Sequence, residues 1–418
     1  MSGFSSWSRR RRRAVIGGGV AIAVITGIGT YVASNDDLRP LKVDFVLGGG
    51  DDPTEYGKQL KIQGQFGGLA VAPDNTTYLF VEANDETVMW RRKPSGAIKR
   101  IQVAGMNASR ATQAAVAPDG SIYLAAEDLW RVSPAGEATR VIERRGCGKA
   151  NPLVATSISD FCGATVTGVT VDKAGTVYVG DQLIQTPPYG SYVHRLDGKS
   201  IELVAGRPAK DGESVRPSNP AVRKGYDPPA GTKAKDVVVP DVTRSGALAA
   251  TKDGVYWNTG PGIVRINRDG TLSPFVARRS PGKISDPSGP FDTVGRALDA
   301  PVRSGTGGEP GDGLAAIPSR DEIYYSDEGT SHRPVLEGDF RWQGVESDAQ
   351  KKLLDESKTG SLVHRVTDGK LAPVIAGVQA IATSKDSLYV AVTTDIKYRN
   401  TPENSATAVL RVQLPEKN

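Results

Sequence analysis

Side chains able to do chemistry are sparse in this chain. Its 418 residues include three histidines, His194, His332 and His364, and two cysteines, Cys147 and Cys162. His194 and His364 occupy matching phrases, "VHRL" and "VHRV", at a place where similar stretches carry Trp90, Trp130, Val264 and Leu410. A place that accepts Trp or Val is a packing place. His332 is left alone, too little for a histidine-based metal centre or a Ser-His-Asp relay. No catalytic residue is assigned. "GGGDDP", Gly48 to Pro53, lacks the Lys and Ser/Thr of a phosphate loop.

Recognition is better supplied. "HRPVLEGDFRWQG" gathers His332, Arg333, Phe340, Arg341 and Trp342. Trp beside Arg in a loop can grip sugars, peptides or acidic groups; the plainer alternative is that Phe340 and Trp342 pin the loop to the body beneath it. Arg341, Trp342, His332, Arg333 and the preceding Asp327 are the ligand-binding candidates. A short helix is expected next, from Ser347 to about Lys358, with Ser347 and Gln350 as a capping box and Asp348 in its first turn.

Cys147 and Cys162 lie in one irregular stretch, "RRGCGKANPLVATSISDFCGA". In an oxidising compartment such a pair is expected to form a disulfide, closing a loop worth about 3 kcal/mol by chain entropy. Two sulfurs with no histidine near them do not make a zinc site.

The elements that position these residues repeat. "AVAPDGSIYLAAEDLWRV", Ala115 to Val132, has five further copies, anchored on Tyr78, Tyr178, Tyr256, Tyr324 and Tyr389 beside its own Tyr123. Each unit reads as four strands: a small-residue apolar strand, a turn, a Tyr-centred strand, an Arg-bearing strand, and a fourth ending in "VAG" or similar. Third-to-fourth turns at Ala135-Gly136, Asp197-Gly198, Asp269-Gly270 and Asp368-Gly369 suit tight hairpins. Small residues on the first strand fit the crowded inner edge of a radial array, so the fold class is all-β, a six-bladed β-propeller over residues 41–418. The sixth copy ends at Leu414-Pro415 without a fourth strand, while "LKVDFVLGGG", Leu41 to Gly50, stands alone before the first copy. The N-terminal strand is expected to complete the last blade and close the ring. The recurring Arg91, Arg131, Arg195, Arg265, Arg365 and Arg411 read as blade architecture.

The Pro-Asp-Gly turn, the "VYVGD"-type strand, the Arg-bearing third strand and the "VAG" ending resemble the NHL-repeat family of six-bladed propellers, with much of the pattern shared by lactonase-like propellers. Asp181 and Asp327 match the NHL Asp after the Tyr strand; the other four blades lack it. An NHL-like resemblance implies a binding scaffold with no cofactor. A lactonase-like resemblance implies a hydrolase or lyase that holds a divalent cation such as calcium near the central channel, for which Asp181, Asp327 and Asp395 are the candidates. No matching set of Glu, Asn and Asp accompanies them, so the scaffold is preferred.

Long insertions fall in connections that meet at one face of such a ring: Arg144–Thr165, Arg207–Arg244 and Arg278–Asp312 between blades, and Glu328–Ser361 within the fifth. Loops this long are functional or disordered more often than not. This face is therefore expected to bind a protein, peptide or cell-envelope glycan. Prolines at 208, 217, 220, 228, 229 and 240 exclude a regular sheet from the second insertion.

Charge points to a membrane. The formal net charge is +5, and Arg9–Arg13 account for all of it. A neutral body lacks the basic surface that nucleic-acid binding needs. Residues 14–33, "AVIGGGVAIAVITGIGTYVA", are uncharged and as a helix would measure about 30 Å, the hydrocarbon thickness of a bilayer. The basic tail 1–13 stays cytoplasmic by the positive-inside rule, residues 34–40 link, and the propeller lies outside: anchored at the cell membrane by a single pass, or secreted if 14–33 is a cleaved signal.

Overall fold

The structure is a computed structural model that describes residues 42–52, 60–108, 111–143, 157–161, 165–183, 190–210, 224, 227–239, 246–260, 262–277, 295–296, 313–317, 319–327, 345–356, 361–394 and 405–414. Strand β1 (Val43–Gly48) comes first. Blade 1 follows as β2 (Gln65–Val71), β3 (Thr77–Ala83), β4 (Glu86–Arg92) and β5 (Ile98–Val103). Blade 2 is β6 (Gln113–Val116), β7 (Ile122–Ala126), β8 (Asp128–Val132) and β9 (Ala138–Ile142). Blade 3 is β10 (Thr165–Val171), β11 (Val177–Leu183), β12 (Gly190–Asp197) and β13 (Ser200–Ala205). Blade 4 is β14 (Leu248–Thr251), β15 (Gly254–Asn258), β16 (Gly262–Asn267) and β17 (Leu272–Ala277). After β18 (Gly295–Arg296), blade 5 is β19 (Leu314–Ile317), β20 (Glu322–Asp327), β21 (Ser361–Thr367) and β22 (Lys370–Val378), with helix α1 (Asp348–Glu356) between its second and third strands. Blade 6 is β23 (Ala380–Thr383), β24 (Leu388–Thr393) and β25 (Thr407–Val412).

Blade 6 takes its fourth strand from the other end of the chain. Its order is β1-β25-β24-β23, with Val43 opposite Val412 and Gly48 opposite Ala408. The all-β, six-bladed ring is thus closed by its N-terminal strand, as the sequence implies.

One cross-strand pair recurs in every blade. The Tyr of the second strand stands directly opposite the Arg of the third: Tyr78 and Arg91, Tyr123 and Arg131, Tyr178 and Arg195, Tyr256 and Arg265, Tyr324 and Arg365, Tyr389 and Arg411. Directly opposed side chains share one face of a sheet, so each tyrosine and its arginine point together toward a neighbouring blade. The third-to-fourth turns carry positive φ at Gly136, Gly198, Gly270 and Gly369, which explains their glycines.

The core is a set of seams between neighbouring blades. Leu79 and Val81 of blade 1, for example, meet Tyr389, Ala391 and Val409 of blade 6. Each fully buried Leu or Val contributes roughly 1.5–3 kcal/mol, so stability is spread around the ring.

Because the strands alternate, first-to-second and third-to-fourth turns share one face, here the lower. Second-to-third turns and blade-to-blade connections share the upper. The interblade insertions leave and re-enter on the upper face, but their described stretches do not stay there. Ser157 bridges Ser200, Lys233 bridges Thr271, and β18 pairs Gly295 with Leu371 and Arg296 with Lys370. Each contact is at the start of a fourth strand, beside a lower-face turn. An insertion thus runs down the rim, covers the outer edge of the blade it leads into, and returns. An outer strand with one free edge has backbone groups to satisfy, and the seam widens toward the rim, leaving apolar space. Phe161 fills it between blades 2 and 3, while Ala234, Val237 and Val239 fill it between blades 3 and 4. The expectation of loops confined to one face is corrected for these stretches.

Helix α1 behaves similarly. Its Leu353 and Leu354 are buried with residues of blades 5 and 6. The Ser347 hydroxyl accepts from the Gln350 N–H at 3.2 Å, and the Gln350 side chain accepts from the Glu346 N–H at 2.7 Å, one residue ahead of the expected return bond. Residues 1–40, including the arginine block and Ala14–Ala33, lie outside the described residues. Among those described, no helix is long and apolar enough to cross a membrane.

Candidate functional site

The centre of the ring is built from the inner strands, whose sequences are QFGGLAV, QAAV, TVTGVTV, LAAT, LAAI and AIAT. Not one ionisable side chain occurs in them. Two residues before the position facing the tyrosine, the blades carry Gly68, Gln113, Gly168, Ala247, Gly313 and Ala380. Blade 2 alone puts a long polar side chain there, and the small residues of the other blades leave room for it.

Gln113 uses that room to bridge the channel. Its Nε2 donates to the Leu248 carbonyl at 2.7 Å and the Leu314 carbonyl at 3.0 Å. Its Oε1 accepts from the Val169 N–H at 3.1 Å and the Leu248 N–H at 3.0 Å. One side chain of blade 2 is therefore bonded to the backbones of blades 3, 4 and 5. These atoms lie at or near the upper ends of the inner strands, so the amide closes the channel beneath the upper face.

Hydroxyls stitch the ring around it. Thr112 Oγ1 donates to the Thr167 carbonyl at 2.8 Å, Thr170 Oγ1 accepts from the Ala250 N–H at 3.0 Å, and Thr383 Oγ1 donates to the Ala316 carbonyl at 2.6 Å. Ser405 Oγ donates to the Gly64 carbonyl at 2.8 Å and so joins blades 6 and 1. Separate sheets have no ladder between them, and these bonds take its place. Buried Thr87, Asn258, Thr259, Ser326, Ser361 and Thr393 extend the same chemistry outward along the upper ends of the blades. The described inner strands thus line the channel with backbone groups, hydroxyls and the Gln113 amide and bring no ionisable side chain to it, whereas the upper-face turns of blades 1 and 2 carry Asp85, Glu86, Glu127 and Asp128.

The structure puts Asp181 away from the channel. It lies on the second strand of blade 3, its side chain 1 % exposed, on the sheet face shared by Val179, Tyr192 and His194. Its carboxylate is 3.9 Å from His194 Nε2. Burial holds His194 down to about 3, so the imidazole is neutral at ordinary pH. Burial, and beside it the Asp181 carboxylate, raise the Tyr192 hydroxyl. His364, stacked on Tyr325 at 5.0 Å, is likewise held down to about 4 by burial. Both histidines sit in seams.

Asp327 ends β20 with its backbone opposite Leu362. His332, Arg333, Phe340, Arg341, Trp342 and Asp395 lie outside the described residues, as do Cys147 and Cys162. Among the described residues, no three His, Cys, Asp or Glu side chains converge as a metal site requires. Gln113 went unnoticed in the sequence because it occurs once, whereas the strongest patterns recur. Its signal is a long amide where the other blades keep Gly or Ala.

No family model matches the chain, and no curated protein sequence does. Among solved structures, a gluconolactonase from Xanthomonas campestris is 12% identical, with 85% of this chain and 88% of that one covered and a TM-score of 0.41. Regucalcin, a calcium-binding protein from Agrobacterium tumefaciens, is 13% identical over 84% and 92%, at 0.44. An auxiliary nutrient binding protein from Bacteroides thetaiotaomicron is 9% identical over 89% and 76%, at 0.47. What the chain shares with these proteins is a distant likeness of fold: it is a six-bladed β-propeller.

Proposed function

We propose that this protein is a membrane-tethered, extracytoplasmic propeller of NHL-like type that binds a protein, peptide or cell-envelope glycan on its upper face. The closure by Gln113 carries this reading. It closes the channel mouth with a neutral amide whose bonds go to backbone groups, an arrangement suited to seating a partner rather than to activating water or a metal. Arg341, Trp342, His332 and Arg333 belong to the fifth-blade insertion, which begins and ends at that face, and they supply the aromatic and cationic groups by which ligands are gripped. The arginine block and the uncharged residues 14–33 supply the tether.

The test has two arms. Protease added to intact cells should degrade a tethered propeller, whereas protection until lysis rejects the surface location. Screening the purified full chain against peptide and cell-wall glycan arrays should return a ligand whose binding falls at least tenfold in Arg341→Ala/Trp342→Ala at unchanged melting temperature. Unchanged binding in that variant removes the proposed contact.

A further inference from the structure

The recurring third-strand arginines are not equally neutralised. Arg195 faces Glu202 across the strand pair and meets it at 2.6 Å; Arg411 meets Asp44 in the same way at 2.8 Å. Arg131 pairs with Asp119 at 2.7 Å, and Arg365 has Glu322 beside it. Blade 1 differs. There Arg91 stands directly opposite Lys99, and like charges directly opposed in a sheet are destabilising.

The rest of that hairpin compounds the cost. From Arg91 to Arg100 the sequence is "RRKPSGAIKR", with Arg91, Arg92, Lys93, Lys99 and Arg100 and no acid. Lys93, Lys99 and Arg100 are exposed, and among the described residues none of the three meets a carboxylate at ion-pair distance. Asp74, in the neighbouring turn of the blade, gives its oxygens to Thr76 at 2.8 and 3.0 Å. The hairpin tip is a lower-face turn.

The lower face is also where the chain joins the ring. Strand β1 runs in the sense of a fourth strand, so Lys42, whose carbonyl accepts from the Gln413 N–H, lies at the lower end of blade 6, next to blade 1. Arg92 feels the charge of Arg411, the partner of Asp44 on β1, so the hairpin adjoins the junction. Residues 34–41, even fully extended, reach roughly 30 Å from the expected span.

We propose that the β4–β5 hairpin, through Lys93, Lys99 and Arg100 with Arg91 and Arg92 behind them, docks on anionic phospholipid headgroups, turning the lower face to the bilayer and the upper face away from it. The proposal rests on the tether described under Proposed function. Cations near an anionic leaflet each strengthen association about fivefold, and the attraction is screened by salt.

The full chain, reconstituted in nanodiscs of phosphatidylcholine with or without phosphatidylglycerol, gives the test by hydrogen exchange. Exchange at Ile98–Val103 should slow only in the anionic discs, recover at high salt, and recover in Lys93→Glu/Lys99→Glu/Arg100→Glu. That variant should melt at or slightly above the parent, since Lys99→Glu replaces the like-charge pair with Arg91 by an opposite one. Equal exchange in both lipids, or in parent and variant, overturns the proposal. If the chain fails to enter discs, the tether is wrong; co-sedimentation of the same chain with phosphatidylglycerol vesicles then decides the hairpin, salt-sensitive binding lost in the variant supporting it and no binding overturning it.

Discussion

The side-chain amide of Gln113 and the backbone of Leu248 form a two-bond ring, one bond donated at 2.7 Å and one accepted at 3.0 Å, across the channel from blade 2 to blade 4. An amide offers the donor and the acceptor on two separate atoms of one planar group, as this ring requires. Gln113→Ala should cost about 2–4 kcal/mol, because backbone groups in the channel lose a partner and are hard to satisfy otherwise. Gln113→Glu keeps the length but loses the donor and adds a charge. Urea unfolding should rank the two variants well below the parent; parent-like midpoints would show the bridge to be dispensable.

Ring closure separates a weak contact from a strong one. The Arg411–Asp44 ion pair is partly exposed, so Asp44→Ala should cost only about 0.5–1 kcal/mol. Deleting residues 42–48 removes Val43, Phe45 and Leu47, which are at most 3 % exposed, a loss of roughly 5–9 kcal/mol. That rivals the whole stability of an ordinary domain. Calorimetry should find no cooperative transition in the truncation and a nearly unchanged one in Asp44→Ala.

Acid should loosen the ring through its seams. His194 and His364 titrate at about 3 and about 4 in the folded protein, against 6.5 in an unfolded chain. Between those values the unfolded state binds more protons, so stability is full above pH 6.5 and falls as pH drops toward 4. At about 1.4 kcal/mol per unit for each histidine, the loss is several kcal/mol. Replacing both by Leu should flatten the melting temperature between pH 6.5 and 4; an equally steep profile in the double variant would assign the acid sensitivity elsewhere.

The channel wall also limits substitution. A Cβ on Gly168 would overlap the carbonyl oxygen of Gly246 in the next blade, and one on Gly180 would stand 2.5 Å from the same atom. Gly168→Ala should lose about 2–4 kcal/mol, whereas Gly198→Ala, in open space at a lower-face turn, should lose only the cost of its positive φ. Thermal shifts that reverse this order would contradict the close approach.

Repetition decided what could be seen in the sequence. The tyrosines, the turns and the missing fourth strand are each written several times or conspicuous by one omission, and the ring follows from them. Gln113 is a single residue whose partners lie 135 and 201 positions away, and no local pattern announces it. Asp181 lies three residues beyond Tyr178, as Asp327 does beyond Tyr324, an odd step along a strand. Alternation therefore turns it to the sheet face opposite that of Tyr178, into the seam that holds Val179 and His194. The valines at 237–239 hide among prolines that read as loop, and only the seam between blades 3 and 4 gives them a place, where the Val237 and Val239 carbonyls accept from the Arg207 and Ser191 N–H groups.

The pairing of β1 with β25 also sets a timetable for synthesis. Val43 leaves the ribosome about 370 residues ahead of its partner Val412. At 5–20 residues per second the interval is roughly 20–70 s. Throughout it, Val43, Phe45 and Leu47 have no sheet to join, and the first strand made is the last to be used. Export through a translocon would keep the chain extended during this wait. A ribosome stalled before Thr407 should leave a propeller that is open, protease-sensitive and dependent on chaperones, with the codons of β25 converting it into a closed ring.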